Sequence, residues 1–220
     1  MHIYAFGSVC RGEIDKGSDV DMLACVDSKE THSKEACIKE PRVDVDVEQF
    51  SVYTYDKLSE LWKLGNPFVW HLHLESKLIF SSDGNDFLAS LGSPAEYKDI
   101  KADLDKFTDL FVEASSALKN DTSNAVFNIS CIFLAVRNAA MCYSIFSGKP
   151  EFSRYSAMKI EPALPVSNDL YTILVRARLL SSRGYGSLIS KQEIAAVTET
   201  IDVIRTWLDH LEESINETRV

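Results

Sequence analysis

The spacing of apolar residues changes character near residue 93. Ahead of it, short apolar runs are cut by turns. Residues 1–6 read as a first strand that stops at Gly7-Ser8, and residues 9–15 as a short helical turn behind that stop. Gly17-Ser18 turns the chain into a second strand over 19–26, where alternation puts Asp19 and Asp21 on one face and Val20 and Met22 toward the core. Residues 27–41 are polar, end at Pro41 and read as an exposed loop. Residues 43–48 alternate strictly and form a third predicted strand: its valines face one way, Asp44, Asp46 and Glu48 the other. Leu58, Leu61 and Leu64 then recur at helical spacing over 53–64. Gly65-Asn66-Pro67 ends that helix and starts a second over 67–75. A last strand spans 78–80, and Ser82-Asp83-Gly84-Asn85 is a turn.

From residue 93 the pattern is helical throughout. Ser93-Pro94-Ala95-Glu96 has the form of a capping box with proline at the first helical position. Ile100, Leu104, Phe107, Phe111, Ala114 and Leu118 continue as one apolar stripe. Residues 123–146 are apolar nearly all round, which predicts the central, buried helix. Asn128, Arg137 and Asn138 interrupt that run and argue against a membrane span. Residues 149–166, with Pro150, Pro162 and Pro165, are irregular; 168–181 form a third helix. Ser190-Lys191-Gln192-Glu193 is a second capping box, opening one last helix through Ile194, Val197, Ile201, Ile204, Leu208 and Leu211. The expected fold is therefore α+β: a small mixed β-sheet domain over 1–92, followed by an all-α up-down helical bundle over 93–220.

Charge narrows the partners. The chain carries a net charge of −10, with −7 on residues 1–92 and −3 on residues 93–220. An acidic surface repels polyanions, so long nucleic acid is not an expected partner. Cysteines 10, 25, 37, 131 and 142 lack metal-ligand spacing, and three of them sit in apolar runs as reduced thiols. The start runs straight into a strand rather than a leader, so the expected compartment is the cytoplasm.

The chemistry concentrates in residues 5–26. Gly7 lets the backbone approach a ligand, and consecutive amides in such a turn form an anion-binding nest. Ser8 adds a hydroxyl donor and Arg11 a cation. Asp19 and Asp21, about 7 Å apart along one strand, offer hard oxygen ligands to a divalent cation. If the strand over 43–48 lies beside them, one of its acids completes a carboxylate triad. Two metals, a triphosphate cradle and a third carboxylate are what in-line nucleotidyl transfer requires.

The set Phe6-Gly7-Ser8-x-x-Arg11-Gly12, then Ser18-Asp19-x-Asp21, then an apolar-Asp-apolar strand resembles the DNA polymerase beta-like nucleotidyltransferase superfamily. Within it, the fuller form resembles the small bacterial branch that holds the minimal, aminoglycoside and lincosamide nucleotidyltransferases. Members usually carry a helix before the first strand; here the strand comes at once. The resemblance implies that Gly7, Ser8, Arg11 and Ser18 bind the nucleotide, that Asp19, Asp21 and Asp44 hold two magnesium ions, and that Asp44 or Asp46 takes the acceptor's proton. Asp44 is the closer match, because the family's third acid sits early in its strand. The implied reaction moves a nucleoside monophosphate from an NTP, ATP first among them, to a hydroxyl of a small molecule such as an aminoglycoside-like antibiotic. Two rivals stand beside it: an antitoxin-type enzyme that modifies a partner protein, and a nucleotide-binding module without turnover. A homodimer stays open.

The helical half resembles, more loosely, the HEPN-like and kanamycin-nucleotidyltransferase bundles, and would select the acceptor. HEPN ribonucleases carry an Arg followed a turn or two later by His; after Arg137-Asn138, Cys142, Tyr143 and Ser144 stand at those places, so no ribonuclease activity is expected. Arg137 reads as a buried arginine paired with a carboxylate, or else as a substrate contact. His71 and His73 diverge on a helix and read as ordinary histidines rather than a shared metal site, and Trp70 as packing.

Overall fold

The computed structural model describes residues 1–13, 20–27 and 50–217. The chain divides into two compact units, Met1–Lys98 and Asp99–Val220.

In the first unit, the strands β1 (His2–Phe6), β2 (Asp21–Val26), β3 (Phe50–Thr54) and β4 (Lys77–Ser81) make a mixed sheet in the order β3-β2-β1-β4 among the described residues. β1 is antiparallel to β2 and β4, whereas β3 runs parallel to β2, with Phe50 beside Met22. The helices of this unit are α1 (Ser8–Arg11), α2 (Tyr55–Leu64), α3 (Pro67–Glu75) and α4 (Phe87–Ser90). Alternation sorts the strand residues onto two faces. Tyr4, Phe6, Leu23 and Cys25 join Leu58, Trp62, Val69, Leu72 and Leu88 in one core, while Ile3, Ala5, Met22, Ala24 and Phe50 form another.

Several expectations shift. Val20 precedes β2 and is exposed, so only Met22 of the expected pair reaches the core. The strand beside β2 is Phe50–Thr54, whose last two residues fall within the helix expected over 53–64; the strand expected over 43–48 lies outside the described residues. The helix begins at Tyr55 because the Thr54 hydroxyl accepts the Lys57 amide at 3.1 Å, which fixes Thr54 as an extended N-cap. Leu58 and Trp62 bury while Leu64 is 65% exposed, so the inward stripe of α2 excludes the last expected leucine. Residues 93–96 do not open a helix. The Ala95 amide donates to the Trp62 carbonyl at 2.9 Å, and the Ala95 carbonyl accepts from the Trp70 indole at 3.1 Å. Those backbone groups are held by α2 and α3 instead of by a helical turn.

The second unit holds α5 (Ile100–Asn120), α6 (Ala125–Phe146), α7 (Ser156–Lys159), α8 (Asn168–Arg183), α9 (Lys191–Glu199) and α10 (Ile201–Glu217). α6 lies at its centre, against α5, α7, α8 and α10. Among the described residues it is the one helix long and apolar enough to cross a membrane, and 61% of that window is buried inside the protein. The capping box at Ser190 and Glu193 is present. The expected single last helix is two, however. The Thr200 amide reaches back only to Val197 at 3.1 Å, a tighter turn than the α-helical ladder, and its hydroxyl bonds the same carbonyl. Arg137 Nη2 donates to the Phe152 carbonyl at 2.6 Å and Nη1 to Asn138 Oδ1 at 2.9 Å, so it braces the segment after α6.

Gly65 caps α2 at φ 65°, and a Cβ there would lie 2.2 Å from the Ala95 carbonyl oxygen. Gly84 has φ 77° with open space around it. Gly65→Ala should therefore cost at least about 2 kcal/mol more than Gly84→Ala in urea unfolding.

Candidate functional site

β1 ends at Phe6 and the chain turns at Gly7, with φ 75° and ψ −144°. Positive φ at this point is glycine's province. The Gly7 carbonyl accepts from the amides of Cys10 at 3.1 Å and Arg11 at 3.2 Å, closing the single turn of α1. The amides of Ser8 and Val9 stand in that first turn, where helical geometry supplies no acceptor. The register pairs Phe6 with Asp21, so the start of β2 arrives beside the turn. A Cβ built on Gly7 would fall 2.6 Å from Asp21 Oδ2. The carboxylate thus sits where any other side chain at position 7 would have to go.

Arg11 lies three residues after Ser8, on the same face of α1. Its Nε donates to Glu13 Oε2 at 2.8 Å and its Nη1 to Glu75 Oε2. Glu75 closes α3, and His71, one turn earlier, brings Nε2 to 2.8 Å from the same Glu75 oxygen. The His71 ring stands edge-on to Phe6 with centroids 5.6 Å apart, while His73 meets the rings of Trp62 and Trp70. The two histidines point to different groups. Burial pushes the Glu75 carboxyl up, but hydrogen bonding and charge from His71, together with Arg11, outweigh it and hold the group below its ordinary range. Cys10, next to Arg11, donates its thiol to the Ala5 carbonyl at 3.3 Å, and burial raises its pKa; it belongs to the packing.

The fold brings together Gly7, Ser8 and Asp21, with Arg11 on the Ser8 side but engaged by two carboxylates. Ser18, Asp19, Asp44 and Asp46 lie outside the described residues. Among the described residues, no three His, Cys, Asp or Glu side chains cluster as metal ligands. β3 begins beside Met22, so its first residue and Asp21 share one end of the sheet. Sequence reasoning missed Glu13 and Glu75. The signal for Glu75 was present: His71 and Glu75 stand four apart on one helix, the spacing of facing residues.

Compared with known proteins, residues 2–101 match the family model described as a nucleotidyltransferase domain. No curated protein matches the chain.

The lowered Glu75 pKa makes a statement about acid stability. In the unfolded chain a glutamate titrates near about 4.3. With the folded value below that, the ion pair's stabilisation is complete above the unfolded value and fades as pH falls through the folded one. Urea unfolding at pH 7 and again below pH ~4 should show a smaller acid loss in Glu75→Gln than in the unaltered protein.

Proposed function

We propose that this chain, whose residues 2–101 are a nucleotidyltransferase domain of the DNA polymerase beta-like superfamily, moves a nucleoside monophosphate from an NTP, ATP first among them, to a hydroxyl of a small molecule such as an aminoglycoside-like antibiotic. The observation that carries the reading is the Asp21 carboxylate seated against the bare Cα of Gly7, next to first-turn amides. A carboxylate beside a glycine turn and its first-turn amides suits a nucleotide held with a cation.

In this reading the amides of the Gly7–Ser8 bend and the Ser8 hydroxyl hold the phosphates, with Ser18 alongside. Arg11 supplies positive charge. Magnesium suits the described part of the site, since carboxylate oxygens are its preferred donors and Asp21 brings one beside the Gly7 turn. Asp19, Asp21 and Asp44 would hold two ions, which when bound neutralise charge at the α-phosphorus and on the departing pyrophosphate. Asp44 or Asp46 accepts the proton of the attacking hydroxyl. The acceptor oxygen bonds to the α-phosphorus in line as the bond to pyrophosphate breaks. The helices from residue 93 onward serve as the substrate or partner domain. A mostly buried α6 and four cysteines outside any disulfide among the described residues fit a soluble protein in a reducing cytoplasm.

With magnesium, an NTP and a panel of hydroxylated acceptors, the protein should release pyrophosphate. Asp19→Asn and Asp21→Asn should each bring the rate to background without moving the thermal midpoint, because in this reading both acids serve the cation. Of Asp44→Asn and Asp46→Asn, one should lose about 10²- to 10⁴-fold and the other little. Adducts found only on a co-purified protein would transfer the same chemistry to a protein acceptor; nucleotide binding without pyrophosphate release would leave a binding module.

A further inference from the structure

Arg11 is held by two carboxylates that differ in kind. Glu75 is 15% exposed, sits on the last turn of α3 and is also in contact with His71. Glu13 is 41% exposed and lies just past Gly12, the left-handed cap of α1. An exposed pair of this sort contributes at most about 1 kcal/mol. A phosphate carries more charge than a carboxylate and meets a guanidinium with the same two-pronged geometry. The two acids therefore cannot be equivalent when an anion arrives on the Ser8 face of α1.

We propose that Glu75 is the fixed positioning residue for Arg11 and that Glu13 is an exchangeable occupant of its guanidinium, displaced by a phosphate of the incoming NTP. This rests on the reading of the Gly7–Ser8 bend as a triphosphate cradle. Glu75, half-buried and 2.8 Å from His71 Nε2 on the same helix, keeps the arginine from following Glu13 outward. Glu13 holds the guanidinium in place until the nucleotide replaces it. Removing the two acids should consequently act in opposite directions, which a purely structural ion-pair network would not do.

The test is steady-state pyrophosphate release at varied NTP. Glu75→Gln should raise the KM for NTP by about tenfold or more, with a smaller change in kcat, and Glu75→Asp should recover part of the loss. Glu13→Gln, an exposed and structurally mild change, should lower the same KM by about threefold. In an Arg11→Ala background both effects should vanish. A Glu13→Gln KM that is unmoved or raised overturns the proposal, as do effects that persist without Arg11. If the unaltered protein shows no turnover with any acceptor and no NTP binding, the cradle reading falls and this inference with it. Normal turnover with an unmoved Glu13→Gln KM sinks this inference alone.

Discussion

One steric exchange organises the first unit: a backbone position without a side chain is filled by a carboxylate from the next strand. Gly7 and Asp21 are neighbours only because β1 and β2 pair with Phe6 opposite Asp21. That register is fixed in turn by the alternation of Tyr4, Phe6, Leu23 and Cys25 toward one core and Ile3, Ala5, Met22 and Ala24 toward the other. A slip by one residue would turn every one of these side chains to the wrong face. The hydrophobic cores on both sides of the sheet therefore set the position of a polar atom at its end. Groups mounted on strands in this way are held more tightly than groups carried by loops alone.

The electrostatics follow from the same arrangement. The first 92 residues carry a net charge of −7, and the cation nearest the Gly7 turn along the chain, Arg11, already faces Glu13 and Glu75. Of the cations near the turn on the described residues, Arg11 is engaged by carboxylates, while Lys77, opposite Ala5 on β4, is exposed. Under the proposed function this is a coherent design. The acids would hold the divalent ions that accompany a nucleotide, and Arg11 would exchange a carboxylate for a phosphate.

Much of this was legible in the sequence where periodicity and turn chemistry agreed. Gly65-Asn66-Pro67, the Ser190–Glu193 box and the apolar run of α6 each gave the observed element, because local propensity and tertiary packing point the same way there. The failures come where tertiary bonds override a local signal. Residues 93–96 have helix-start chemistry, yet Trp62 and Trp70 claim the Ala95 backbone. The helix expected over 53–64 starts only at Tyr55, because Tyr53 and Thr54 belong to an extended segment that the sheet stabilises. At the candidate site, Gly7 and Asp21 could be named from the motif, but their contact depends on strand register. The carboxylates around Arg11 come from positions 13 and 75, too far apart for any single-sequence pattern to join.

The segment over 92–97 has a consequence for how the first unit could be handled in isolation. The Trp62 indole donates to the Gly92 carbonyl at 3.0 Å, Ala95 is clasped from both sides, and Tyr97 is buried. These residues behave as a buckle closed over the ends of α2 and α3. A fragment trimmed at the close of the motif-bearing sequence, at residue 92, would expose two tryptophans and strand the Ala95 partners. A fragment that runs to Lys98 keeps the buckle fastened, and the first unit would then carry its own seal against solvent.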